Sequence, residues 1–399
     1  MLETFLATST DHTETPLAAP RMLPPSYGFD DVALVPHLET LDPELCDLCW
    51  ELAVGSHRLA FDLPILAAAM DGVVDPRFAA EFHRQGGLAV LNLEGLHGRY
   101  QDPAELYREI ARAAPDEAPV LLQRLYEAPV EERFARRAVR SLKEAGARVA
   151  VSATPLNAER LLGAALEEGA DAVVVQSTVT SARHQSASGR SLDLAAFCDR
   201  MRPVPVVMGN TVAAEPALAL MEAGAAAILV GVGPGAECTS REVLGIGMPQ
   251  ISATLEVAAA RDEFERASGR YVAVIADGGM RTSGDMVKAL AAGADAVMLG
   301  APLAQSREAP GLGFNWGMAS FHGTLPRGTR INVGTTGSLQ QILYGPASVN
   351  NGTQNLAGAI RTAMSVLGAR TVRDLHRVRM IHAPAIKSEG KLHQLSGRL

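Results

Sequence analysis

VAVIADGGMRTSGDMVKALAAGADAVMLG, residues 272–300, carries the reading of the fold. Val272–Ala276 is an unbroken apolar run, and Asp277-Gly278-Gly279 ends it. Thr282 and Ser283 then offer a hydroxyl cap for a helix over Gly284–Ala292, whose apolar residues recur at helical spacing. Gly293 is a stop just past the last turn, and Ala296–Gly300 is a second apolar run ending in glycine. Two continuously apolar strands joined by a helix make a parallel pair covered on both faces.

The same alternation runs outward from this segment. Further apolar runs are Pro64–Met70, Gly87–Asn92, Val120–Leu125, Val149–Ala153, Ala172–Gln176, Val204–Gly209 and Ala226–Gly231. Helical spacing fills Glu131–Ala145, Ala158–Glu168 and Glu215–Ala223, with glycine corners at Gly169 and Gly224. The choice lies between a (β/α)8 barrel and an open doubly wound sheet. Nine candidate strands are one more than a barrel needs, and Val120–Leu125 is read as the extra element. Polar and glycine residues directly follow many strands, as at Met70-Asp71-Gly72, Asn92, Gln176-Ser177-Thr178, Gly209-Asn210 and Gly231–Gly235. A site ringed by all the strand ends is a barrel's site, whereas an open sheet has a cleft at one switch point. No GxGxxG follows the first strand. The barrel is the reading adopted.

Composition narrows the class. The 399 residues carry a formal charge of −8, against nucleic acid as the main ligand, since phosphate neutralisation wants an excess of lysine and arginine. Four cysteines exclude a disulfide scaffold and suit a reducing compartment. No apolar stretch is long enough to span a membrane, and residues 1–20 lack the basic start of a signal peptide, so a cytoplasmic protein is expected. Residues 1–26 read as a tail, 27–365 as a single barrel without an inserted domain, and 366–399 as a helix and extension beside it.

The chemistry concentrates in Val230-Gly-Val-Gly-Pro-Gly-Ala-Glu-Cys238-Thr-Ser-Arg241. A strand ends at Gly231, glycines let the backbone approach a ligand, and Cys238 is a nucleophile that Arg241 and local N–H groups would favour as thiolate. Cys46 and Cys49 form a CxxC without a second pair, which suits packing on one side of a helical segment over Pro43–Leu52. Cys198 reads as core in an amphipathic helix around Leu192–Met201. Toward the chain's end, the glycines after the last two strands and the capped helix between them suit a backbone phosphate cradle, and Asp277 suits a pair of ribose hydroxyls.

These motifs resemble the IMP dehydrogenase/GMP reductase family: GPGAECTSR around Cys238, PILAAAMDGV (64–73), GN at 209–210, IADGG (275–279), VMLG (297–300) and WGMAS (316–320). LPRGTRINVG (325–334) and the absence of an inserted CBS pair are most similar to the family's CBS-lacking, IMP dehydrogenase-related subgroup. The resemblance implies attack by Cys238 on C2 of a purine mononucleotide, GMP or IMP, and hydride transfer between C2 and a nicotinamide. Ser240 stands where the family usually has threonine. The resemblance places Met70, Asn210, Gly317, Met318 and Ala319 on the base, Asp277 on the ribose, and Ala236, Gly279, Gly300 and Ala301 around the phosphate, with Arg327 and Gly328 completing the substrate side. Two family serines are alanines at 236 and 301, so their hydrogen bonds fall to another group, such as Asn315 or a basic side chain. Gln176-Ser177-Thr178 occupies the cofactor side in place of a ribose-binding aspartate, and Arg183 and His184 stand near enough in sequence to meet a 2′-phosphate. Backbone carbonyls of Gly233, Gly235 and Cys238 are the implied seat of a potassium ion, and a homotetramer or octamer is the implied assembly.

A dehydrogenase needs a long flap with an Arg-Tyr pair to activate water, whereas only Phe321–Pro326 stands between Ser320 and Arg327. That favours reduction of GMP by NADPH over oxidation of IMP by NAD+. The reductase's flap glutamate is replaced by Arg327, which leaves His322 or Glu237 as acid; Glu237 otherwise reads as a solvent-facing loop residue. A nucleotide-binding regulator without catalysis is the third alternative, given the altered Ser240, Gln176, Ala236 and Ala301.

Overall fold

The computed structural model describes residues 23–187, 191–318 and 329–384. The apolar runs pair in parallel and close on themselves. Ile65–Ala67, Leu88–Asn92, Ala150–Ala153, Ala172–Gln176, Val206–Thr211, Ala227–Val230, Ala273–Asp277 and Ala296–Leu299 follow one another in chain order around an eight-stranded barrel. The eighth strand bonds back to the first, with Val297 opposite Ile65 and Leu299 opposite Ala67. Helices between and after the strands form the outer ring of a (β/α)8 barrel.

Alternation along each strand builds two cores. On the fourth strand, Val173 and Val175 pack outward against helices, while Ala172 and Val174 face the interior. Alanines 150, 172, 227, 273 and 296 leave the interior wide at the strands' N-terminal ends. A hairpin of Trp50–Val54 with His57–Phe61 fills that space with Trp50, Leu52, Leu59 and Phe61. Each of those side chains contributes on the order of 2 kcal/mol by leaving water. The buried Trp50 indole N–H donates to the Leu63 carbonyl at 2.8 Å, so the plug carries its polar atom satisfied.

Two sequence expectations need correction. Val120–Leu125 lies in a helix, Ala118–Glu127, whose buried residues Ala118, Leu122, Leu125 and Tyr126 follow the helical period. A short apolar run fits either period, and here Pro119 in the first turn marks the helix. Pro43–Leu52 is not one helical segment: Pro43–Leu45 is a single 3-10 turn, and the chain then extends into the hairpin. Cys46, Leu48, Trp50 and Leu52 are buried at a period of two, which leaves Cys49 exposed and puts the two cysteines on opposite faces.

Between the second and third strands, residues 93–149 hold helices Ala104–Arg112, Ala118–Glu127 and Glu132–Glu144 and no separate domain. Beyond the eighth strand, Phe314–Trp316 pairs with Arg330–Asn332 above the barrel. Helix Leu356–Val366 joins the outer ring, and Met380–His382 then pairs with Val32–Leu34, tying the two ends of the described chain together. Among the described residues no helix is long and apolar enough to cross a membrane.

Candidate active site

Chain direction puts every strand's C-terminal end at one mouth, so Asn92, Gln176, Asn210, Gly231, Asp277 and Gly300 gather there. The sixth strand delivers the cysteine loop. Gly231 has a φ of +154°, and a Cβ on it would sit 2.1 Å from the Asp277 carbonyl oxygen. Only glycine lets the sixth and seventh strand ends approach so closely. The loop then turns through Gly233, and the Cys238 amide donates to the Gly235 carbonyl at 3.1 Å. The half-buried Cys238 Sγ lies 3.1 Å from the Oγ of Ser240, which is fully buried at the start of helix Ser240–Leu244. Ser240 therefore orients the sulfur. Arg241 packs beside Gly233 and Gly247 and donates to the Met248 carbonyl at 3.0 Å, so its guanidinium braces the loop.

The fourth, fifth and seventh strands supply one connected polar group. Asn210 Nδ2 donates to Asp277 Oδ2 at 2.8 Å and to the Gly231 carbonyl at 2.8 Å. Gln176 Nε2 donates to Asn210 Oδ1 at 3.1 Å and to Asp277 Oδ2 at 3.3 Å. Burial pushes the Asp277 carboxyl up to about 6, against the pull of the Asn210 hydrogen bond toward the charged form. Asp277 is thus held rigidly as an acceptor beside the sulfur's loop. Ser177 and Thr180 spend their hydroxyls on the loop itself, bonding each other at 3.1 Å and the carbonyls of Val179 and Gly209. The family resemblance implies Gln176, Ser177 and Thr178 on the cofactor side; in the structure Gln176 bonds to Asp277, Ser177 to its own loop, and Thr178 is half-buried.

The first and eighth strands close the far side. Gly278 and Gly279 take φ of +87° and +79° and pack on Pro234, which presses the seventh-strand turn onto the cysteine loop. A Cβ on Gly300 would meet Met70 Sδ at 3.0 Å and Asn315 Nδ2 at 3.5 Å. Ala301 opens the short helix that follows, and Ala236 is exposed on the facing loop. Asn315, fully buried, donates from Nδ2 to Glu237 Oε1 at 2.7 Å. Glu237 is only 6% exposed, which corrects the expectation of a solvent-facing side chain: the pairing with Asn315, distant in sequence, draws it inward. Beneath this end, fully buried Asp71 accepts from the Leu96 amide at 2.7 Å and from Tyr126 Oη at 2.5 Å, and Trp316 Nε1 donates to the same phenol at 2.9 Å. Tyr126 also lies 3.7 Å from Sδ of Met318, which like Gly317 before it is half-buried. Ala319, His322, Arg327 and Gly328 lie outside the described residues. Sequence reasoning missed the Asn315–Glu237 pair and the Gln176–Asp277 contact; both join residues far apart in the chain, and no local spacing reports such a contact.

The sequence model of the IMP dehydrogenase/GMP reductase domain matches residues 26–393. The chain belongs to the IMP dehydrogenase/GMP reductase family. It is similar to an uncharacterized oxidoreductase of Mycobacterium leprae, 41% identical over 366 residues that cover 89% of this chain and 96% of that protein. An inosine-5′-monophosphate dehydrogenase of Aquifex aeolicus is 35% identical over 244 residues, 54% of this chain and 45% of that protein. Among solved structures, an IMP dehydrogenase/GMP reductase-like protein from Corynebacterium glutamicum superposes with a TM-score of 0.84 at 33% identity, covering 92% of this chain and 97% of the other. Members of this family are oxidoreductases that bind a purine mononucleotide and a nicotinamide dinucleotide. Of the three carbonyls implied for a potassium ion, that of Gly235 accepts the Cys238 amide and keeps a second lone pair. A cavity of about 580 Å³ at the opposite end, lined by Glu51, Arg58, Arg270, Tyr271 and Arg373 among others, contains none of these site residues.

Proposed function

We propose that this chain is a purine nucleotide oxidoreductase working through a covalent intermediate at Cys238, in the reductive direction: GMP + NADPH + H+ to IMP + NH3 + NADP+. The observation that carries the chemistry is the Cys238 Sγ held 3.1 Å from the buried Ser240 hydroxyl, at the mouth where Asp277 also sits. The thiolate adds to purine C2, and the C2–N bond breaks as ammonia leaves with a proton. Hydride from NADPH then adds to C2, the C–S bond breaks, and the thiolate returns. Ser240 holds the sulfur toward C2, and Asp277, fixed by Asn210 and Gln176, accepts from ribose hydroxyls. The missing Arg-Tyr pair supports reduction, because hydrolysis without a positioned base is slower by roughly 10²–10⁴-fold.

The experiment incubates the protein with GMP and NADPH, and separately with IMP and NAD+, following nicotinamide absorbance and the intact mass. Consumption of NADPH with a nucleotide adduct on Cys238, lost in Cys238→Ser, is the expected result. Xanthosine monophosphate formed at a normal rate would reverse the direction. That second reading, an IMP dehydrogenase, is favoured by the Aquifex relative that carries this name. Nucleotide binding without turnover or adduct would leave a regulatory role. A homotetramer or octamer is proposed from the family alone.

A further inference from the structure

We infer that Arg183 selects the cofactor by taking the 2′-phosphate on the adenosine of the dinucleotide, so that the chain prefers NADPH to NADH. The inference rests on the preceding reading for where the purine nucleotide lies, and it names the residue that sets cofactor choice.

The starting point is which side of the mouth is open. On that reading the ribose lies at Asp277 and the phosphate at the glycines after the seventh and eighth strands. The ribbon of Phe314–Trp316 covers the end of the first strand, where Asn315 Nδ2 lies 3.7 Å from Met70 Sδ. A dinucleotide that brings its nicotinamide to Cys238 therefore leaves over the loops after the second, third and fourth strands. The third and fourth strands are neighbours, and the loops that follow them expose two large apolar side chains, Leu156 at 84% and Val179 at 50%. An apolar pair on the rim suits the face of an adenine ring. The cations on this side differ in what they bond. Arg99 donates to the carbonyls of Glu94 and Ala128, and Arg160 to Asn157 Oδ1 and the Val130 carbonyl. Arg183 is exposed, and its guanidinium has no hydrogen bond or ion pair among the described residues.

The loop that carries this cation is anchored. The Ser177 amide donates to the Gly209 carbonyl at 3.0 Å. Thr180 donates its amide to the Asn210 carbonyl at 2.9 Å and its hydroxyl to the Gly209 carbonyl at 2.5 Å. Arg183 follows by three residues, so its Cα lies within roughly 11 Å of that anchor. Its amide donates to Ser181 Oγ at 3.2 Å. Residues 177–192 contain no aspartate or glutamate. A carboxylate there would accept from a free 2′-hydroxyl and favour NADH, whereas an arginine accommodates the 2′-phosphate. The planar guanidinium offers that phosphate two parallel N–H donors together with the opposite charge.

The test is fluorescence titration of NADPH and of NADH into the full chain, into Arg183→Gln and into Arg183→Lys, with KM for each cofactor measured against GMP. The wild-type protein is expected to bind NADPH at least about tenfold more tightly than NADH, a ratio set by one charge-assisted guanidinium–phosphate contact. Arg183→Gln should bring the two affinities within about threefold of each other, by weakening NADPH and leaving NADH unchanged. Arg183→Lys keeps the charge and loses the fork, and should retain part of the preference. The change should appear in KM for NADPH and leave kcat and GMP binding as they were, which a general loss of structure would not do. Equal affinities in the wild type, tighter binding of NADH, or a ratio unmoved in Arg183→Gln overturns the inference. Binding of neither cofactor overturns it together with the preceding reading. Xanthosine monophosphate formed from IMP would reverse the direction of that reading, while the ratio of the two affinities still reports on Arg183.

Discussion

Asp277→Asn should make the protein more stable at neutral pH, and the size of the gain follows from the barrel mouth. An Asp carboxyl at about 6 in the folded chain, against an ordinary value near 3.8, binds its proton more tightly folded than unfolded. Between those two values the native state therefore holds more protons, and stability falls as pH rises. The proton's contribution is fully present below pH ~4 and is lost above pH ~6 to 7, leaving a cost of about 3 kcal/mol for keeping the carboxylate there, at 1.36 kcal/mol per unit. Asparagine keeps an oxygen for the Asn210 and Gln176 donors and never ionises. Urea unfolding of both proteins at pH 4, 5, 6 and 8 should give nearly equal stabilities at pH 4. The variant should lead by a few kcal/mol, up to about 3, at pH 8. A difference that stays constant across this range would show that desolvation does not govern Asp277. The same variant should bind ribose-bearing ligands less well at pH 8, because the carboxylate's strength as an acceptor is what the destabilisation is kept for.

Three further outcomes follow from the same geometry. Gln176→Leu removes one of the two side-chain donors to Asp277, so the pH below which nucleoside or nucleotide binding weakens should move upward in a KM–pH profile. Gly231→Ala places a Cβ 2.1 Å from the Asp277 carbonyl, and separating the cysteine loop from the ribose site should lower kcat/KM by roughly a hundredfold while the circular dichroism spectrum is retained. Tyr126→Phe takes the acceptor from the buried Trp316 indole and one donor from Asp71, at a cost of about 1–3 kcal/mol in denaturant unfolding.

The barrel was legible because its signals are local and repeated. Each strand–glycine–cap–helix unit, of which residues 272–300 are the plainest, declares its own period and its own ends. The misreadings occurred where a short stretch supports two periods: Val120–Leu125 contains apolar residues that suit either, and Cys46–Leu52 alternates too briefly to be separated from the Pro43 turn before it. The turns that carry Cys238 and Asp277 to the barrel mouth are legible because glycines flag them. Glu237, by contrast, looks like any loop glutamate until Asn315 arrives from 78 residues further along. The same holds for Gln176, whose reach to Asp277 depends on barrel closure and not on any spacing within its own loop.

One loop sets two properties at once. Adjacent residues face different partners: Glu237 turns to Asn315 above the eighth strand, and Cys238 turns to Ser240 at the helix start. The sulfur's geometry depends on Gly231, Gly235 and Ser240, none of which needs the identity of residue 237. A substitution at 237 can therefore change the charge beside Asn315 without moving the Cys238 sulfur. Such independence requires the loop to be braced from elsewhere, and Arg241, packed beside Gly233 and Gly247 and bonded to the Met248 carbonyl, supplies that brace.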